Sequence, residues 1–207
     1  MAKPYVQERQ SEYWASRQIE EFFENYGSDV HVIPVPGRLE KLLPADFVFI
    51  PDQLVKLFGF QYKALYQESA GDFWKLESNQ HLQLAKFPWI YYAMSELKNR
   101  AHKRNSLHLL RIFKPSSIGF PASGKFLEST SSIWHYRWGG FYKHLEACSC
   151  GVKINSEAEL KAALADGYYD IAADLQLFVH NFATGRTISI NPMLRKYDQE
   201  QDGESND

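Results

Sequence analysis

Gly59-Phe60-Gln61-Tyr62-Lys63-Ala64 is the stretch on which the fold turns. On a strand, side chains two residues apart share a face, with Cα atoms about 6.5 Å apart. Gln61 and Lys63 therefore project together, and Phe60, Tyr62 and Ala64 take the other face. The surrounding run from Leu54 to Leu65, LVKLFGFQYKAL, otherwise reads as buried. An ammonium group in such a run is costly without a partner, so the pattern calls for something anionic nearby. An edge strand with one polar face toward water would account for the same two residues without any function.

Working outward, Ala45 to Ile50 is a second extended run, interrupted by Asp46 and closed by the turn-forming pair Pro51-Asp52. The two runs are expected to pair as a hairpin, in which Asp46 can lie across from the face carrying Gln61 and Lys63. Val30 to Val35 is rich in β-branched residues and predicts a further strand. Before it, Ala15, Ile19, Phe22, Phe23 and Tyr26 recur at helical spacing, which predicts a helix from Ser11 to Tyr26 stopped by Gly27. At 100° per residue, Glu12 falls about 20° from Ile19 and is the acid aimed toward the core. Glu20 sits at the edge of the stripe, and Glu21 and Glu24 point to solvent.

Downstream, SNQHLQLAKF predicts a helix ended by Pro88. Trp89 to Met94 and Leu107 to Phe113 predict two buried strands separated by a basic loop. Ser116 to Cys150 is rich in aromatics and turn residues and has no clear periodicity. Ser156 with Glu159 opens a short helix to Ala165, Asp170 to Phe182 is helix or strand, and Arg186 to Ile190 is a final strand. Helix, strands, helix, strand is the order of an α/β domain with one mixed sheet.

The 207 residues are 44% hydrophobic and 15% aromatic, enough for a real core, and no apolar run approaches the roughly 20 residues of a membrane helix. The start, MAKPYVQERQSEYW, lacks the apolar stretch of a secretory signal, and Cys148 and Cys150 are too few for a disulfide framework. A reducing, cytoplasmic setting and no membrane partner are expected. The net charge of -2 hides an asymmetry: removing the five acids of the last ten residues leaves 23 bases against 20 acids. From Lys98 to Lys114 there are six bases and no acid. Lys98, Arg100, Lys103 and Arg104 in that run are candidates for contact with a polyanion.

Two carboxylates and an amide oxygen make a hard-oxygen set suited to Mg²⁺ or Mn²⁺. Asp46, Gln61 and Glu12 are the candidate metal ligands, and Lys63 beside them can offset charge developing on phosphate oxygens. His144 with Cys148 and Cys150 is an incomplete zinc set. The cluster Trp134, Tyr136, Trp138, Phe141 and Tyr142 could stack nucleobases, although such clusters more often form core.

A helical Glu, then Asp46, fourteen residues, Gln61-x-Lys63 on a strand and a following helix resembles the PD-(D/E)XK, or restriction endonuclease-like, nucleases. Phe60-Gln61-Tyr62-Lys63-Ala64-Leu65-Tyr66 looks most like the Mrr-type branch, and the resemblance covers roughly residues 11 to 113. In that pattern the helical acid would fall nearer Ser16, so Glu12, one turn earlier, stands in for it, with Glu20 in reserve. Gln80 and Gln83 resemble the glutamine that some branches place beside the site. The resemblance implies a restriction endonuclease-like core over residues 1–115; a C-terminal α+β extension packed on the same domain is expected over 116–196, and the acidic composition predicts a disordered tail over 197–207. The resemblance further implies a metal-dependent nuclease, DNA being favoured over RNA, with Asp46 and Gln61 binding Mg²⁺, Lys63 catalytic and a homodimer left open. The rival expectation is a binding module of the same fold with a weakened metal site, because Gln61 removes a negative charge.

Overall fold

The computed structural model describes residues 2–27, 30–34, 45, 47–51, 56–69, 71–128, 133–147, 149–153, 177–181 and 186–190. In chain order the elements are β1 (Lys3–Pro4), α1 (Glu8–Asn25), β2 (Val30–Pro34), β3 (Phe47–Pro51), β4 (Lys56–Lys63), β5 (Leu65–Gln67), β6 (Phe73–Lys75), α2 (Ser78–Leu84), β7 (Ile90–Ser95), β8 (Leu110–Phe113), β9 (Lys125–Leu127), α3 (Trp138–Glu146), β10 (Val152–Lys153), β11 (Leu177–Asn181) and β12 (Arg186–Ile190). Short 3-10 helices lie at Arg100–Asn105 and Pro115–Ser117.

The main sheet runs β2-β3-β4-β7-β8, with β10 added on β4. The first three strands form an antiparallel meander, β4 and β7 are parallel, and β8 returns antiparallel to β7. Parallel neighbours need a crossover, and the one between β4 and β7 carries α2. The molecule is thus a mixed α/β structure with a mixed sheet flanked by helices.

Alternation along β4 sorts the chemistry onto two faces. Phe58, Phe60 and Tyr62 join Tyr91, Ala93, Leu110 and Ile112 on one face, packed on Ala15, Ile19 and Phe23 of α1 and on Trp138, Phe141 and Leu145 of α3. The Ser16 and Tyr62 hydroxyls share a hydrogen bond of 3.2 Å within this layer. Buried Lys56 also points this way and donates to the carbonyl oxygens of Leu145 and Cys150, so its charge lies against the C-terminal end of α3. Gln61 and Lys63 take the opposite face.

The explanation of Gln61 and Lys63 by a polar face toward water fails, because all eight residues of β4 are buried; β3 pairs with it from Phe58 to Phe60 and β7 from Gly59 to Lys63. Other expectations also need correction. Helix α1 starts at Glu8 rather than Ser11: Gln7 is the cap, with no side-chain cap bond, and Glu8 places an acid in the first turn where the helix dipole favours it. The predicted stop holds, with Gly27 at φ 68° and its N–H bonded to the Glu24 carbonyl at 3.0 Å. The run to Leu65 is not one strand. It breaks at Ala64, and β5 enters a second sheet, β1-β5-β6-β9, which includes Phe73-Trp74-Lys75. The basic stretch between β7 and β8 holds a 3-10 helix rather than a plain loop.

Most of the aromatic cluster is core: Tyr136, Trp138 and Phe141 are 6%, 2% and 0% exposed. They fix α3 on the sheet, so Trp134, at 62% exposure, is the member most open to water.

The chain divides into two compact units, Met1–Lys153 and Ile154–Asp207. In the second, β11 and β12 pair antiparallel from Leu177↔Ile190 to Asn181↔Arg186. The predicted helix from Ser156 to Ala165, the acidic tail and Cys148 lie outside the described residues. No helix among the described residues is long and apolar enough to cross a membrane.

Candidate functional site

Gln61 and Lys63 lie among the last three residues of β4, before the chain leaves the main sheet, and they are 2% and 8% exposed. Their burial follows from the parallel register on β7, where Gln61 lies beside Tyr92 and Lys63 beside Met94. Among the described residues Lys63 forms no ion pair. Gln61 Nε2 donates weakly to the Tyr62 carbonyl at 3.5 Å. Asp46 lies outside the described residues. Phe47, which follows it in the chain, is the ladder partner of Phe60, which precedes Gln61.

One helical acid that reaches this strand is Glu8. Its Oε2 accepts a hydrogen bond of 3.1 Å from the N–H of Ala64, the residue directly after Lys63. The break between β4 and β5 leaves that N–H outside both ladders, and the carboxylate supplies its acceptor. Tyr66 feels the same group: burial first, and then the Glu8 charge, push its phenol above the usual range. Glu12, the sequence-based choice, is one turn further on and half-buried. Glu20 is half-buried and lies near Arg17 at 3.9 Å. Glu8 escaped the sequence reading because a helix assumed to begin at Ser11 excluded it.

Helix α2 covers the same face as Gln61. His81 Nδ1 lies 3.3 Å from the Tyr92 hydroxyl, with the rings stacked at 5.9 Å. Burial lowers the His81 pKa against the opposing bond to the Ile118 backbone, and burial together with the Glu77 charge raises that of Tyr92. Both groups are held neutral at neutral pH. Gln80, expected near the site, has a buried Oε1 with no hydrogen-bond partner among the described residues, as does Gln10 at the start of α1.

The described residues contain no group of three or more His, Cys, Asp or Glu side chains able to hold a metal ion. The oxygen donors that are present, the Gln61 amide and the Glu8 carboxylate, belong to the chemistry of Mg²⁺ and Mn²⁺ rather than of thiolate-seeking metals. The two are not on one face, since α1 packs on the side of Phe60 and Tyr62 and Glu8 meets the strand only at the Ala64 N–H; a charge-sufficient set around Gln61 would require Asp46 as well. His144 is engaged otherwise, its Nδ1 lying 2.6 Å from Ser149 Oγ, and Cys150 is buried in the core.

The four basic candidates separate into two kinds. Lys98 is tied to Asp72 at 2.8 Å and Glu128 at 3.0 Å, and these acids hold its ammonium well above the usual range. Arg100, Lys103 and Arg104 are exposed on the 3-10 helix and form no ion pair among the described residues. No protein-family model, no curated protein and no solved structure matches the chain.

Proposed function

We propose that this protein is a metal-dependent nuclease of the restriction endonuclease-like kind, hydrolysing phosphodiester bonds in nucleic acid. The observation that carries the reading is the burial of Gln61 and Lys63 side by side on a central strand, where a lone ammonium is costly unless an anion completes it. A helix before the strand that carries Gln61 and Lys63 and a further helix after it agree with the order in which the sequence resembles that family.

Asp46 and Gln61, with a carboxylate from the first turns of α1, would hold Mg²⁺ or Mn²⁺. The bound metal supplies a Lewis acid and a lowered water pKa. Lys63 places its charge where negative charge grows on the phosphate oxygens in the transition state. The neutral His81–Tyr92 pair and the aromatic layer around it limit water on that face, which strengthens the lysine's interaction with phosphate. Arg100, Lys103 and Arg104 offer contacts to the backbone of the substrate.

Incubation of the full chain with plasmid, single-stranded DNA and RNA, with Mg²⁺, Mn²⁺ or chelator, tests the reading. Cleavage is expected only with metal, and Lys63→Ala is expected to abolish it while circular dichroism stays unchanged. Full activity in that variant removes the mechanism. Parallel assays of Glu8→Gln and Glu12→Gln identify the helical acid.

The neutral charge of Gln61 favours a second reading, a binding module that does not cut. It predicts salt-dependent affinity for nucleic acid with no product at any metal concentration.

A further inference from the structure

Helix α1 turns its sheet-facing side to the core, and its outer side forms one wall of an open groove whose other wall is the 3-10 helix Arg100–Asn105. Tyr13, Trp14, Arg17, Gln18, Glu21, Lys103 and Arg104 line it, enclosing about 510 Å³. The two walls are clamped by one side chain. Gln18 Nε2 donates to the Lys103 carbonyl at 2.7 Å, and its Oε1 accepts from the Leu107 N–H at 2.9 Å. The groove is therefore braced by a satisfied amide and not by the chance approach of surface side chains.

Its chemistry is divided. On the α1 side, Tyr13 is 65% exposed and Trp14 is half-buried, a ring display that the core does not use. Arg17 on that side is committed to Glu21 at 3.2 Å, and this pair leaves little net charge beside the rings. On the opposite wall, Lys103 and Arg104 are exposed cations without an ion pair among the described residues. A ligand matched to this layout carries a row of anions on one side and flat apolar faces on the other. We infer that the groove binds single-stranded nucleic acid, with unpaired bases on Tyr13 and Trp14 and the phosphates along Lys103 and Arg104. A duplex keeps its base faces stacked inside and could use only the cations, whereas exposed aromatic rings gain from any unpaired base. The groove's size is that of a small-ligand site, of order 300–1,000 Å³, which suits a short length of strand. The inference rests on the proposed nuclease reading for the class of ligand, and extends it to the form of substrate.

Fluorescence anisotropy with a labelled twelve-nucleotide oligo-dT, a labelled duplex of equal length and a poly-glutamate peptide tests it on the full chain, with chelator present to prevent cutting. The single strand is expected to bind more tightly than the duplex and the peptide. Tyr13→Ala should weaken oligo-dT binding by about ten-fold and leave duplex binding nearly unchanged. Tyr13→Phe should restore it. Lys103→Ala and Arg104→Ala should each lower the slope of log affinity against log salt by roughly 0.7. Tyr13 is solvent-exposed, and unchanged near-ultraviolet circular dichroism checks that the variants fold. Equal binding of oligo-dT by wild type and Tyr13→Ala overturns the inference, as does equal binding of the duplex or peptide, or no binding of oligo-dT at low salt. The catalytic reading fails separately: if Lys63→Ala still cuts with metal present, the mechanism falls while the groove stands.

Discussion

Lys63 shows how a single side chain can be poorly placed for stability and well placed for chemistry. It is 8% exposed beside Met94 of β7, and among the described residues no acid pairs with it. Replacing such an ammonium by an apolar chain of similar length removes a desolvation cost. Lys63→Met is therefore expected to match or exceed wild type in its urea midpoint, although it is inactive in cleavage. Phe60, fully buried on the opposite face, provides the contrast: Phe60→Ala should cost about 3–5 kcal/mol. A loss of comparable size in Lys63→Met would mean that the lysine holds the fold together and would count against a catalytic role.

Between elements, charge is used to fasten rather than to react. Glu96, which follows β7, binds Arg111 of β8 and Arg137 at the start of α3. Burial alone would raise its carboxyl, but Arg137 and Arg111 more than offset this and hold it below the usual range. Because the folded value is depressed, the contribution is present above the unfolded carboxylate pKa of about 4.3 and is lost as pH falls through the folded value. Glu96→Gln should cost about 2 kcal/mol at pH 7, less than the roughly 3–5 kcal/mol of a fully buried pair because Arg137 is half in water. The check is the urea midpoint at pH 7 and pH 3, where the gap between wild type and variant should close as the solution becomes acid. Periodicity made α1, β4, α2, β7 and β8 readable in the sequence, since each buries one patterned face. Helix α3 was not readable. It opens Trp138-Gly139-Gly140, and two glycines argue against a helix until Trp138, Phe141 and Leu145 are seen packed on the sheet.

The large buried cluster belongs to a single compact unit. Every residue of the large buried cluster lies between Ala15 and Cys150, inside the unit Met1–Lys153. A chain ending at Lys153 is therefore expected to keep its near-ultraviolet circular dichroism and a single cooperative unfolding transition. Loss of cooperativity in that truncation would show that the second unit is needed to complete the first. The acidic tail would be removed with it, and the remaining charge would become more basic, in the direction that favours a polyanionic ligand.

The local sequence determines which residues share a side. The alternation of Gln61 and Lys63 against Phe60 and Tyr62, the stripe Ala15-Ile19-Phe23 and the stop at Gly27 all follow from periods of 2 and 3.6 residues and from the conformational freedom of glycine. Long-range placement is a different matter. That β4 is central rather than an edge, that Glu8 meets the N–H of Ala64, and that Gln18 closes a groove with a segment 85 residues away depend on pairings distant in the chain. Those pairings are set by the packing of whole faces, a sum over many contacts that no short window of sequence contains.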